Sequence, residues 1–190
     1  MKFNFKEILF PTVAMLIICL VSAFLLAGTN WLTADKIAEN MREQEIKSRK
    51  LALPDAKEFS DEKEIIANEN TVKYCVALDE NGEGIGYVFT CVNKGYGGDI
   101  SVMTAVDNNG KVIRSVVLSM DDETPGVGQK AGKAEFLDMF IGKSGVLSWV
   151  KNGGSEQQIQ GVSSATYTSK AVIQCVNDAL KAFSLLGGEA

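Results

Sequence analysis

Nine consecutive residues, Gly161-Val162-Ser163-Ser164-Ala165-Thr166-Tyr167-Thr168-Ser169, carry five Ser or Thr hydroxyls directly ahead of a helix whose start reads near Thr168. The first turn of a helix leaves backbone N–H groups unpaired and holds a partial positive charge. An anion such as phosphate would therefore find hydroxyls, amides and about 0.3–1 kcal/mol of dipole attraction converging there. Capping the helix is the competing use for these side chains, although one cap needs only one hydroxyl. Two further segments bring bare backbone to possible chemistry. In Glu123-Thr124-Pro125-Gly126-Val127-Gly128 a proline fixes one dihedral and two glycines permit close approach of a flat ligand. In Gly95-Tyr96-Gly97-Gly98 an aromatic ring that can line or stack on a ligand stands among glycines. Each is equally an ordinary turn when taken alone.

Composition narrows the chemistry. The 190 residues include no histidine, which removes Ser-His-Asp and Cys-His catalysis, His-ligated haem and His-containing zinc sites. A hydrolase built on Ser163 or Ser169 would lack its base. Cys19, Cys75, Cys91 and Cys175 are scattered without a C-x-x-C pair, so no metal site is expected and each reads as a small hydrophobe, their disulfide state left open. A net charge of −5 leaves no basic surplus for a phosphate backbone, which makes nucleic acid an unsuitable partner. Hydrophobic residues at 46 % and charged residues at 23 % fit a folded domain with a packed core.

Residues 8–34 contain no charged side chain, and at 1.5 Å per residue a helix of that length reaches about 40 Å, more than a bilayer core needs. With Trp31 at its far end as an interfacial aromatic, the segment reads as a retained anchor, a cleaved signal peptide being the alternative. Lys2 and Lys6 on one side face Lys36 and Arg42 on the other, so the charge rule gives no orientation. Thr12, Ser22, Ala23 and Gly28 offer small or hydroxylated surface to neighbouring helices. Residues 33–53 read as a helix leaving the membrane, ended by Leu53-Pro54-Asp55, and the acidic stretch 55–70 as a surface connection. Residues 71–78 with 85–92, and 100–106 with 112–120 around Asp107-Asn108-Asn109-Gly110, read as two hairpins. Residues 129–141 and 170–186 read as amphipathic helices. The expected class is α+β, one N-terminal transmembrane helix followed by an antiparallel sheet packed with helices. Expected units are a tail and anchor over 1–34, a juxtamembrane helix and linker over 35–70, and a ligand-binding domain over 71–190.

The sequence of one membrane helix, then Gly-Tyr-Gly-Gly, Glu-Thr-Pro-Gly-x-Gly and Ser-Ser-Ala-Thr-Tyr-Thr-Ser before a terminal helix, resembles the G subunits of Rnf electron-transport complexes over almost the whole chain. The same FMN-binding domain occurs in the C subunits of Na+-translocating NADH:quinone reductases, the alternative reading, which are generally longer chains, so that length favours Rnf. The resemblance implies FMN joined through its phosphate to the threonine of an Asp-Gly-x-Ser/Thr-Gly-Ala-Thr motif, here Thr166, installed from FAD by a flavin transferase. Gln160 replaces that motif's acidic residue, which bears on recognition by the transferase, and Ser164 replaces its glycine. It further implies that Ser163, Ser164, Ala165, Thr168, Ser169, Glu123, Thr124, Gly126, Gly128 and Tyr96 surround the cofactor. No residue is expected to be catalytic, and the chain is expected to be a subunit of an ion-translocating oxidoreductase that is not catalytic alone. The implied role is electron relay within a membrane-bound ferredoxin:NAD+ oxidoreductase coupled to Na+ or H+ translocation, with other Rnf subunits as partners and the soluble domain outside the cytoplasm. A cofactor-free, membrane-tethered assembly module is the rival of a different class.

Overall fold

The computed structural model describes residues 5–187, with side chains described from residue 9, so Lys2 lies outside the described residues. Two compact units divide the chain, Met1–Gln44 and Glu45–Ala190. One continuous helix, α1 (Phe5–Ala52), covers both the apolar stretch and residues 33–52, which read as a helix leaving the membrane. From Leu9 onward it is long and apolar enough to cross a membrane, and that apolar window is not buried inside the protein. Within it the Thr29 hydroxyl donates to the Leu25 carbonyl at 3.0 Å and that of Thr33 to the Thr29 carbonyl at 2.9 Å, so neither donor faces lipid unsatisfied.

In the second unit, β1 (Glu58–Phe59), β2 (Lys63–Ala67), β3 (Asn70–Leu78), β4 (Gly84–Lys94), β5 (Asp99–Asp107) and β6 (Val112–Ser119) form one antiparallel sheet. The order is β1-β3-β4-β5-β6, with β2 lying beyond β1 along the same edge of β3. Both expected hairpins are present, β3–β4 and β5–β6. They share one turn chemistry. Asp79 Oδ1 accepts the N–H groups of Asn81 and Glu83, both at 2.8 Å, and Asp107 Oδ1 those of Asn109 and Lys111 at 2.9 and 2.8 Å. Stretch 55–70, expected as a connection, instead supplies β1 and β2.

Residues alternate between the two faces, as the strand period requires. Val72, Phe89, Cys91, Ile100, Val102 and Val106 meet the helix α3 (Thr166–Leu185) through Val172, Cys175, Val176 and Ala179. Cys75, Ala77, Val88, Met103 and Ala105 face the other way, onto Ala52, Leu53 and Ala56 at the end of α1. All three cysteines of this unit are buried free thiols, and burial pushes that of Cys175 up to about 12 and that of Cys91 well above the usual range. Neither forms a reactive thiolate at neutral pH.

A buried carboxylate fixes α3 on the sheet. Asp178 is fully buried, and four carboxamides donate to it. Asn68 and Gln174 reach Oδ1 at 2.9 and 2.8 Å, while Asn70 and Asn93 reach Oδ2 at 2.9 and 2.8 Å. Asn68 and Glu69 form the two-residue β2–β3 turn with φ of 49° and 68°, a left-handed pair of the kind that suits the twist of a hairpin.

The expected helix over 129–141 is broken. A 3-10 turn (Gly128–Gly132) gives way at Lys133, whose ψ of 153° is extended, to the single turn α2 (Ala134–Leu137) and a second 3-10 turn (Asp138–Phe140). Ala131, Phe136, Leu137 and Phe140 are all buried, so the apolar spacing marks a segment wrapped onto the core, not one helix face. Beyond it, β7 (Ser148–Val150) and β8 (Gln158–Gln160) form a parallel pair that no pattern in the sequence announces.

Candidate functional site

Three loops meet at the start of α3. The β4–β5 connection brings Tyr96, the segment after β6 brings Glu123, Thr124 and Gly128, and the approach to α3 brings Ser164, Ala165, Thr166 and Thr168. Together with Val127 and Tyr167 they line a cavity of about 470 Å3, within the range of about 300–1,000 Å3 usual for small-molecule sites.

Glu123 holds the three loops together. Its side chain is buried, and Oε1 accepts the backbone N–H of Tyr96 at 2.7 Å and of Gly97 at 3.0 Å. Oε2 accepts the Thr168 hydroxyl at 2.6 Å. No lysine or arginine pairs with this carboxylate among the described residues, so its partners are neutral donors only. Gly128 is required by this arrangement, since a Cβ there would collide with the Glu123 carboxylate and lie 3.3 Å from Thr168 Oγ1. Thr124 begins the turn that follows, its carbonyl accepting the Val127 N–H at 3.2 Å, with Gly126 at φ 74° in the third position.

The five hydroxyls ahead of α3 have different fates. Thr168 is spent on Glu123, and the buried Ser169 accepts the Val162 N–H at 2.9 Å. Ser163 is exposed and, like Ser169 and Gly126, does not line the cavity. Ser164 lines it from the third position of the Val162–Ala165 turn, closed by the Ala165 N–H on the Val162 carbonyl at 3.1 Å. Thr166 is half-buried, lines the cavity and makes no side-chain hydrogen bond among the described residues. The cap position falls on Ala165, and no side chain caps the helix. The capping explanation for the hydroxyl run therefore fails, and the first-turn amides of α3 stay available to an anion.

Ser164 sits at φ 64°, in the left-handed region where a side chain costs roughly 1–2 kcal/mol. Ser164→Gly is accordingly expected to stabilise the protein by about 0.5–1 kcal/mol, after allowing for glycine's greater freedom in the unfolded chain. An unchanged or lowered urea midpoint in detergent would contradict this.

These residues fit a phosphate-bearing planar cofactor: a free hydroxyl, uncapped helix amides and a cavity of sufficient size coincide. Tyr167 and Val127 were missed from the sequence. The available signal for Tyr167 was an aromatic residue set between two hydroxyls in a helix's first turn.

Comparison with known proteins agrees with the geometry. The FMN-binding domain family matches residues 95–181, and the RnfG N-terminal region matches residues 1–50. The chain is 31 % identical over 173 residues to the G subunit of the proton-translocating ferredoxin:NAD(+) oxidoreductase complex of Clostridium ljungdahlii, covering 90 % of this chain and 89 % of that one. It is 34 % identical over 189 residues to the G subunit of the Na(+)-translocating ferredoxin:NAD(+) oxidoreductase complex of Acetobacterium woodii, with the same 90 % and 89 % coverage. Among solved structures, Shewanella oneidensis NqrC aligns with a TM-score of 0.50 at 24 % identity over 66 % of each chain, a likeness of fold. The chain thus belongs to the G subunits of Rnf-type ion-translocating ferredoxin:NAD(+) oxidoreductase complexes, a family with an FMN-binding domain.

Proposed function

We propose that this chain carries FMN esterified through its phosphate to Thr166 Oγ1 and relays electrons between other redox subunits of a membrane-bound Rnf complex coupled to Na+ or H+ translocation. One observation carries the attachment: the Thr166 hydroxyl opens unbonded into a cavity at an uncapped helix start. FMN, when bound, supplies reversible electron transfer at its ring. The chain's own residues bind and orient it. The first-turn amides of α3 hold the phosphate, Thr124, Val127 and Gly128 present backbone to the ring, and Glu123 keeps the walls in register.

Nothing in the cavity activates Thr166. A threonine hydroxyl is a weak nucleophile at neutral pH, histidine is absent, and both Glu123 oxygens already accept hydrogen bonds. A flavin transferase therefore provides the base. The Oγ1–P bond forms as the FAD pyrophosphate bond breaks, AMP leaves, and the hydroxyl proton passes to the transferase. The product is a tether that keeps the flavin at high local concentration in its cavity.

Residues 9–34 contain no Asp or Glu, so the ion path belongs to partner subunits. In this reading residues 1–34 anchor the chain in the cell membrane, and 71–190, with the strands that 55–70 add to their sheet, carry the flavin outside the cytoplasm. Mass spectrometry of the peptide spanning Gly161 to Lys170, from protein coexpressed with the transferase, is expected to show the mass of FMN less water on Thr166. A denatured band that fluoresces in wild type and is dark in Thr166→Ala is the corollary. An unmodified peptide and a dark wild-type band would favour the cofactor-free module.

A further inference from the structure

We propose that Tyr167 and Tyr96 form an aromatic clamp for the flavin ring, with Glu123 setting the gap between them. The inference rests on FMN being the cavity's occupant. Tyr96 and Tyr167 line the cavity from two separate elements, one in the loop after β4 and one in the first turn of α3. Their ring centroids are 6.2 Å apart with the planes at 45°, and each is the other's only ring partner among the described residues. Both rings stand in water, 75 % and 71 % exposed, although they border a cavity. Neither phenol makes a hydrogen bond among the described residues.

An open V of this kind cannot sandwich a flat ring, which needs about 7 Å between parallel faces at van der Waals contact. It can receive one face-on against one tyrosine and edge-on towards the other. Both arrangements are favourable for aromatic pairs with centroids about 4.5–7 Å apart. The tether decides which flat ligand arrives, since Tyr167 directly follows Thr166.

Both jaws are mounted on one group. The Tyr96 and Gly97 amides bind Glu123 Oε1, and Thr168, the residue after Tyr167, binds Oε2. The gap is thereby spanned by a single carboxylate. Glu123 is a positioning residue in this scheme, while the two tyrosines touch the cofactor.

A phenol in contact with flavin quenches its emission by lending one electron to the excited ring and recovering it, with no net oxidation. Phenylalanine is too hard to oxidise to do this, whereas tryptophan does it well. Full-length protein coexpressed with the flavin transferase is therefore compared as wild type, Tyr96→Phe, Tyr167→Phe, the double phenylalanine variant and Tyr167→Trp. Emission is read native and again after denaturation, at equal flavin content. The expected result is a several-fold rise in native emission for each phenylalanine variant, the largest for the double, with Tyr167→Trp as dim as wild type and all denatured samples alike. Native emission equal to wild type in all three phenylalanine variants, on bands that fluoresce when denatured, would overturn the clamp and leave the tether standing.

A second arm uses Thr166→Ala protein, which has no tether, titrated with free FMN. Adding Tyr167→Leu is expected to weaken binding roughly tenfold, the loss of one stacked aromatic face. Equal affinity in the two proteins, or no saturable binding, would overturn the clamp. A dark, unmodified wild-type band in the first arm would sink the tether, with the clamp then judged by this titration.

Discussion

Glu123→Ala is expected to destabilise the protein by about 3–5 kcal/mol, because three donors lose their acceptor together and each stranded donor costs about 1–3 kcal/mol. The donors are the amides of Tyr96 and Gly97 and the buried hydroxyl of Thr168. Glu123→Gln is expected to lose only about 1–1.5 kcal/mol. Its amide oxygen can accept both N–H groups while its nitrogen donates to the Thr168 oxygen, whose proton turns elsewhere. Urea unfolding in detergent of the three proteins checks the order. Equal losses for Ala and Gln would mean that charge, not hydrogen-bond geometry, holds the loops. The alanine variant should also fail to hold FMN at its cavity, since the wall built by residues 95–98 loses its fastening.

The second large effect is expected at Asp178. Asp178→Ala strands four carboxamide donors around a fully buried position. Against that loss stands the relief of removing a buried charge whose hydrogen-bond donors are all neutral carboxamides. Hydrogen bonds to a charged group contribute about 1.5–3 kcal/mol each, so the loss dominates and a net destabilisation of about 3 kcal/mol follows. Asn68 belongs to the left-handed β2–β3 turn, so amide hydrogen exchange over residues 67–71 should accelerate more than elsewhere in the sheet. Uniform acceleration across the sheet, or unchanged stability, would show that the turn does not depend on this anchor.

How much of this is readable from the sequence follows from which residues act locally. Asp107-Asn108-Asn109-Gly110 dictates its own turn through Asp107 Oδ1, so the β5–β6 hairpin was legible, and β3–β4 repeats the device at Asp79. By contrast, β1 and β2 are short edge strands that pair along one side only, and in β2 Lys63, Glu64 and the apolar Ile66 are all exposed, so no clean period-2 pattern announces them. Residues 129–141 have helix-like apolar spacing, yet a Cβ on Gly132 would lie 2.6 Å from Met120 Sδ. The chain there runs hard against the end of β6, and its geometry is set by that contact. At the site, the three motifs were legible as separate ligand-contacting loops, and most of their residues do line one cavity. What stayed hidden was that Glu123 ties them together, because a carboxylate reaching residues 26, 27 and 45 positions away leaves no local pattern.

Helix α3 also works as a ruler. Thr166 and Asp178 stand twelve residues apart on it, about 18 Å along the axis. The carboxamide cage pins one mark of that ruler to the sheet, so the angular phase of the other mark is fixed as well. Inserting or deleting one residue between them would swing Thr166 by about 100° around the axis. The side chain would then leave the cavity even in a protein that folds and keeps its cage. The placing of the proposed attachment point thus depends on the count of residues in a stretch that lies mostly outside the cavity.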